Sequence, residues 1–186
     1  TLTGALVVDG GTVKLDGNYP TGSRNVALGD TALDSVESGG TDNVAIGDHA
    51  GTAITTGDKN VAVGKDALVA NTTADNNTAI GSLALTSNTT GTNNVAVGCG
   101  ALSSTQTTND NTGIGFDALT VNTGSNNTAL GSKAFRGNQT SNDGVAVGHC
   151  ALFTNTTGAS NTGVGAFSLK ANTTGTSNTA LGKDAL

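Results

Sequence analysis

The sequence predicts an all-β chain wound into a parallel β-solenoid of about ten coils, each of 17 residues. The first observation is a box, Asn-(Val/Thr)-(Ala/Gly)-(Val/Ile/Leu)-Gly, whose closing glycine recurs every 17 residues apart from one step of 18 and one of 16. These glycines are Gly29, Gly47, Gly64, Gly81, Gly98, Gly115, Gly131, Gly148, Gly165 and Gly182. A short fixed period is typical of units that bury their apolar face only by stacking on their neighbours.

The second observation is an Ala-Leu pair, with one Ala-Phe variant, at a fixed offset after most of these glycines. The pairs are Ala67-Leu68, Ala84-Leu85, Ala101-Leu102, Ala118-Leu119, Ala134-Phe135, Ala151-Leu152 and Ala185-Leu186. An Asn/Thr/Gly segment follows each pair, and both irregular steps fall within it. We therefore predict that this segment is a surface loop that tolerates changes of length, while the box and the pair keep their phase.

Residues 1–24 do not follow the repeat. Two short apolar runs around Asp9-Gly10-Gly11 predict a β-hairpin that joins the solenoid, residues 25–186, to a preceding part of a fibre. We expect Tyr19 to pack between these modules rather than to bind a ligand. The absence of an initiator Met and the end within a repeat suggest a piece of a longer protein.

The composition limits both the core and the partners. With 28 Gly and 3% aromatic residues, the interior must be narrow and filled by small and aliphatic side chains. A net charge of -6 with 8 Lys+Arg argues against a nucleic-acid partner. No stretch approaches the roughly 20 apolar residues of a membrane span, so we expect no membrane insertion. An Asn/Thr/Ser/Gly-rich chain could be disordered, but the strict phase of the boxes favours an ordered fold.

Both faces of each predicted strand are apolar or small. In the second box, Val44 and Ile46 point one way and Ala45 the other. One face can be the inside of the coil, but the other requires a cover, because strands that are apolar on both faces are normally buried on both. We therefore expect a homotrimer, intertwined or side by side, since closed cyclic association leaves no edge along the rod.

Asparagine begins nearly every box, and we interpret these residues as a buried ladder of stacked amides rather than as a polar recognition strip. Gly144 interrupts this ladder once. The ladder consists of Asn25, Asn43, Asn60, Asn77, Asn94, Asn111, Asn127, Asn161 and Asn178.

No enzyme signature is present: there is no Gly-x-Ser-x-Gly elbow, no phosphate-binding Gly-x-x-x-x-Gly-Lys and no carboxylate pair that recurs in phase. Asp66, Asp117 and Asp184 share an offset, but we interpret them as solvated turn acids. We predict no enzymatic activity, no catalytic or cofactor-binding residue and no cofactor.

The cysteines and histidines predict neither a disulfide nor a metal site. Cys99 and Cys150 lie three coils apart, about 14 Å at the strand spacing, which is too far for a disulfide. Free thiols fit assembly in a reducing cytosol better than secretion. His49 and His149 each lack a second ligand at metal-binding spacing, and we expect Cys150 to face away from His149 because strand neighbours alternate.

The Asn/Thr segments contain glycosylation sequons at Asn71, Asn88, Asn126, Asn138, Asn155 and Asn172. Because Asn and Thr also form turns, we favour a structural role over glycans. A column of predicted outward threonines could also bind ice, although Gln106 and Gln139 interrupt it. Its members are Thr72, Thr89, Thr123, Thr156 and Thr173.

The boxes at 44–47, 61–64 and 95–98 resemble the Val-Ala-Ile-Gly core of the head repeats of trimeric autotransporter adhesins, and similar repeats occur in phage tail fibres. The resemblance covers residues 24–186 and implies a left-handed parallel β-roll trimer used for attachment. Adhesin repeats are shorter and place Asn-Ser before the Val, whereas here Asn precedes Val or Thr directly. The lead-in at 17–22 and the Asn-Thr-Ala-Leu-Gly form resemble fibre proteins of phages, cyanophages in particular, more closely.

These observations predict a non-catalytic structural and attachment segment of an extended trimeric fibre, foremost a phage tail fibre located on the virion. Its repeated Asn/Thr loops would face cell-surface glycans. One alternative is the head domain of a secreted trimeric bacterial adhesin at the bacterial cell surface. A third is an ice- or surface-binding solenoid.

Overall fold

The computed structural model describes residues 24–186. The hairpin predicted for residues 1–24, of which only Arg24 is described, and the predicted role of Tyr19 therefore lie outside the described residues. Within them the chain is an all-β solenoid of about nine turns with no helix. Ten three-residue strands form one parallel sheet in chain order. They are β1 Val26–Leu28, β2 Val44–Ile46, β3 Val61–Val63, β4 Thr78–Ile80, β5 Val95–Val97, β6 Thr112–Ile114, β7 Thr128–Leu130, β8 Val145–Val147, β9 Thr162–Val164 and β10 Thr179–Leu181.

Every box pairs with the next in the same register. Val44 lies opposite Val61, and Ala45 lies opposite Ala62. The same pairing holds across the 18-residue step, where Val26 lies opposite Val44. It also holds across the 16-residue step between β6 and β7. The prediction that the box keeps its phase while the loop absorbs length changes is thus confirmed.

Backbone hydrogen bonds between coils continue outside the strands. Leu68 N–H donates to the carbonyl of Ala84 at 3.1 Å, and Thr72 N–H donates to the carbonyl of Thr89 at 3.2 Å. In the opposite direction, Asn76 N–H donates to the carbonyl of Asp58 at 3.0 Å. Hydrogen bonding therefore ties each coil to its neighbours along three sides and not only along the sheet.

The interior is as narrow as the composition predicts. The central strand residue faces inward, so Ala45, Ala79 and Ala96 have no exposed surface. The Ala-Leu pairs face them, and the largest fully buried side chain is Phe135. Val44 and Ile46 consequently face outward, which makes the alanine face of each strand the inside of the coil.

Backbone conformations that L-amino acids rarely adopt turn the chain at its corners. In the third coil Asp66, Leu68 and Asn76 have φ angles of 56°, 50° and 59°. A left-handed Leu is unusual, and here its side chain is fully buried in the core. Gly64 has φ of 128°, and a Cβ there would lie 2.7 Å from the backbone of Gly81, so no other residue fits this corner.

Candidate interaction surfaces

The asparagine ladder at the box start is buried, as predicted. In Asn77, Oδ1 accepts the backbone N–H of Asn94 at 3.0 Å, and Nδ2 donates to the carbonyl of Gly91 at 2.8 Å. Each amide therefore links its own coil to the next. The members without exposed surface are Asn43, Asn60, Asn77, Asn94, Asn111, Asn127 and Asn161. None of these seven side chains is available to a ligand in solution.

Gly144 interrupts the ladder because another side chain occupies its space. A Cβ at Gly144 would overlap the ring of Phe135, which is the one aromatic residue in the Ala-Leu column. The backbone N–H of Gly144 still donates to Oδ1 of Asn127 at 2.9 Å. Phe135 in place of Leu and Gly144 in place of Asn are thus complementary substitutions, because the glycine leaves the space that the ring occupies.

A second asparagine ladder runs through the segment that we predicted to be a surface loop, and that prediction was wrong for the first residue of each Asn-Thr-Thr-Gly turn. Asn88 donates from Nδ2 to Gly91 O at 2.9 Å and to Asn71 Oδ1 at 3.3 Å. Its Oδ1 accepts the N–H of Gly91 at 3.1 Å. Asn71, Asn88, Asn122, Asn138 and Asn155 have no exposed surface.

The burial of these amides also bears on the sequons. A glycan cannot be attached to a side chain without solvent contact, so four of the six predicted sequon asparagines serve the fold, namely Asn71, Asn88, Asn138 and Asn155. Asn172 is half-buried in the last coil, as a member of the same ladder. Asn126 is exposed and donates from Nδ2 to Oδ1 of Asp143 at 3.2 Å.

The predicted threonine column bonds coil to coil. The hydroxyl of Thr72 donates to Thr89 O at 3.3 Å, and that of Thr89 donates to Gln106 O at 3.0 Å. Thr156 repeats the bond to Thr173 O at 3.0 Å. These hydroxyl protons are therefore used in hydrogen bonds between coils. The hydroxyl oxygens and methyl groups remain for contact with a surface.

The outer face of the sheet is uncharged along all ten strands. Its two columns hold Val or Thr at the first strand position and Ile, Val or Leu at the third. Ile46, Ile80 and Leu130 are about two-fifths exposed, and Leu181 of the last strand is 79% exposed. At about 4.8 Å per coil, this strip is about 45 Å long and about 10 Å wide, on the order of 450 Å².

The predicted turn acids are not simply solvated, because each has a basic neighbour. Asp66 Oδ1 lies 3.2 Å from Nδ1 of His49. Asp117 lies 3.7 Å from Arg136, and Asp184 lies 3.6 Å from Lys183. These pairs are solvent-accessible, where ion pairs add little to stability.

Asp48 and Lys65 form a closer pair of this kind, at 2.5 Å. The hydrogen bond from Lys65 lowers the pKa of Asp48, and the same bond raises the pKa of Lys65. The pair joins the second coil to the third on the outside of the solenoid.

Both cysteines are free thiols, as predicted, with Cys99 exposed and Cys150 buried. The expected separation of Cys150 from His149 was wrong, since Sγ lies 3.4 Å from Nε2. Both residues follow β8 in the turn, and the φ of 53° at Cys150 brings the neighbouring side chains together. Among residues 24–186 no group of three or more His, Cys, Asp or Glu side chains is placed to hold a metal ion.

Comparisons with protein-family models, with curated proteins and with solved structures give no match to this chain. In the part of the chain that the structure describes, no helix has the length and apolar character needed to cross a membrane.

Proposed function

We propose that this chain is the rod segment of a trimeric attachment fibre, of the kind found in phage tails, and that it acts mechanically. The rod holds a distal tip away from a virion and presents its outer surface to a host cell. A stack that is hydrogen-bonded on three sides suits this role, because its stiffness does not depend on a wide core.

The observation that carries the proposal is the uncharged outer face of the sheet. A continuous uncharged strip of about 450 Å², with an aliphatic side chain at the third position of every strand, is comparable in area with the largest patches that monomers expose, and such patches are commonly interaction sites. Three copies related by a threefold axis cover three identical strips without leaving an open edge. We propose that the strips face each other along the fibre axis, with left-handed coils as in the adhesin heads that the boxes resemble.

Sedimentation equilibrium of the wild-type chain, with two variants of the fourth coil, tests the assembly. Ile80→Asp places a charge in the strip, where desolvating each carboxylate costs several kcal/mol, and we expect the trimer to dissociate. Thr90→Asp adds the same charge on an exposed loop of the same coil and should remain trimeric. A compact wild-type monomer that melts cooperatively at micromolar concentration would refute the proposal.

Attachment is tested separately by binding of the trimer to an array of cell-surface glycans and to intact bacteria. We expect binding that the Ile80→Asp monomer loses, because one rod offers too few contacts and three offer multivalency. Equal binding by monomer and trimer would contradict an attachment role that depends on the fibre.

A further inference from the structure

The exposed side chains change character in the second half of the solenoid, on the corner that carries the Ala-Leu pair. Two columns flank the buried pair, at the second and fifth positions after the box glycine. From the second to the fifth coil these columns hold His49, Asp66, Leu83 and Gly100, and Thr52, Val69, Thr86 and Ser103. From the sixth to the ninth coil aromatic and basic residues enter these columns and the adjacent first position.

Between the sixth and the ninth coil, this corner carries three of the four phenylalanines of the chain and three of its eight basic residues. We call them the aromatic–cationic patch, which consists of Phe116, Lys133, Arg136, Phe153, Phe167 and Lys170.

Each ring of the patch has a cation beside it. Lys133 Nζ lies 5.9 Å from the centroid of Phe116, and Lys170 Nζ lies 4.9 Å from that of Phe167. The guanidinium of Arg136 lies 5.9 Å from the centroid of Phe153. All three distances are within the range of cation–π attraction. The Phe167–Lys170 pair joins the two columns, and the three pairs together span the sixth to the ninth coil.

The fold does not require these side chains. Phe116 is 50% exposed, and serine stands at the same position of the repeat as Ser82 and Ser132. Threonine stands at the position of Arg136 and Phe153 in other coils, for example as Thr86 and Thr120. Phe153 and Phe167 are half-buried. Aromatic rings that keep exposed surface, at positions where other coils have small polar residues, are typical of contact surfaces.

We propose that the aromatic–cationic patch binds a linear polysaccharide with one carboxylate per sugar, laid along the stacking direction. This inference rests on the proposed attachment function and names the class of glycan. The apolar C–H face of a sugar ring fits an exposed aromatic ring, and lysine and arginine pair with its carboxylates. Of the three cations only Arg136 has an acid within ion-pairing distance in the described residues, at 3.7 Å, so the two lysines are available.

The spacing of the charges favours this ligand over nucleic acid. The patch carries three cations within three coil steps of about 14 Å, with Lys133 and Arg136 in the seventh coil and Lys170 in the ninth. Duplex DNA carries a charge about every 1.7 Å, and a protein of net charge -6 repels so dense a polyanion. A carboxylate on each sugar matches the lower density.

The test measures binding of the trimeric protein to polygalacturonic acid, to neutral dextran and to oligothymidylate at low salt. We expect binding to polygalacturonic acid that added salt weakens, and none to dextran. Arg136→Thr with Lys170→Thr should weaken binding about tenfold, since two charge contacts are lost. Phe153→Thr, which leaves the charge unchanged, should weaken it about threefold.

The matched control removes two cations that lie at least three coils away from the patch. Lys59→Asn with Lys65→Ser introduces residues that the next coil has at these positions, Asn76 and Ser82, and should change affinity less than about twofold. The inference would be overturned if the two double variants lost affinity for polygalacturonic acid equally. It would also be overturned if the protein bound dextran as well as polygalacturonic acid, or bound oligothymidylate more tightly. Sedimentation of the same samples separates the two proposals. A trimer that does not bind polygalacturonic acid would contradict the glycan assignment alone. A monomer that binds it would contradict the proposed trimeric fibre alone.

Discussion

Removal of one amide from the centre of the first ladder gives the sharpest test of what holds the coils together. In Asn94→Ala the carbonyl of Thr108 loses its donor, which lies 2.8 Å away in the intact protein. The backbone N–H of Asn111 loses Oδ1 of Asn94, its acceptor at 3.0 Å. Asn94 and Asn111 have no exposed surface and Thr108 is buried. The carbonyl of Thr108 and the N–H of Asn111 therefore cannot form hydrogen bonds with water instead.

Each unsatisfied buried group costs about 1–3 kcal/mol, so the two groups stranded in Asn94→Ala should reduce the free energy of unfolding by about 2–6 kcal/mol. With a denaturant slope of about 4 kcal/mol per molar, the guanidinium midpoint should fall by about 0.5–1.5 M at equal protein concentration. Circular dichroism follows the transition, and hydrogen exchange should show faster exchange at the amide of Asn111.

Two variants serve as controls for Asn94→Ala. Thr90→Ala changes an exposed side chain and should alter the free energy of unfolding by less than about 0.5 kcal/mol. Asn178→Ala removes a half-buried amide of the last coil and should cost about 1 kcal/mol or less, the net value of an ordinary hydrogen bond. If Asn94→Ala costs no more than these two, the buried amides do not stabilise the stack and our account of the ladder is wrong.

Three further predictions follow from single contacts. Gly144→Asn should destabilise the protein by about 1–3 kcal/mol through overlap with Phe135, and Phe135→Leu in the same chain should recover most of it, measured as a double-mutant cycle in guanidinium. Cys99 should react with a thiol reagent in the folded protein, and Cys99→Ser should leave only the slow reaction of the second, buried thiol. Asp48→Asn should lower the melting temperature between about pH 5 and pH 9. Because pairing with Lys65 lowers the pKa of Asp48 below 3.8, this effect should shrink as the pH falls through that lowered pKa and the carboxylate protonates. The raised pKa of Lys65 preserves the effect until the lysine deprotonates at high pH. An effect of Asp48→Asn that is independent of pH would refute this pairing.

The repeat itself predicted the strands and their register, and the structure then showed which face of each strand is the inside of the coil. A period of 17 places identical boxes side by side, and the alternation within a box leaves alanine as the only side chain small enough for so narrow an interior. The first asparagine ladder followed from the same phase. These features are properties of a single period, which a sequence records directly.

The second ladder was missed because Asn-Thr-Thr-Gly also reads as an ordinary turn. A signal was present in the same column: Val36 and Ile54 stand where later coils have asparagine, and both are buried. A position that accepts either an aliphatic side chain or an amide is inside the fold, since turn residues on the surface have no reason to become apolar. The contact of Cys150 with His149 depends on a left-handed φ, which residue types alone did not reveal.

Amides in the first ladder do something that aliphatic residues of similar size cannot, which is to fix the axial position of each coil. An apolar contact tolerates sliding, whereas the bond from Asn43 N–H to Oδ1 of Asn25 is 2.8 Å across the 18-residue step. The bond from Asn127 N–H to Oδ1 of Asn111 is 3.0 Å across the 16-residue step. Because these bonds are present across both changes of coil length, the ladder and not the loop sets the register. We therefore expect further insertions to be tolerated only between the Ala-Leu pair and the next box.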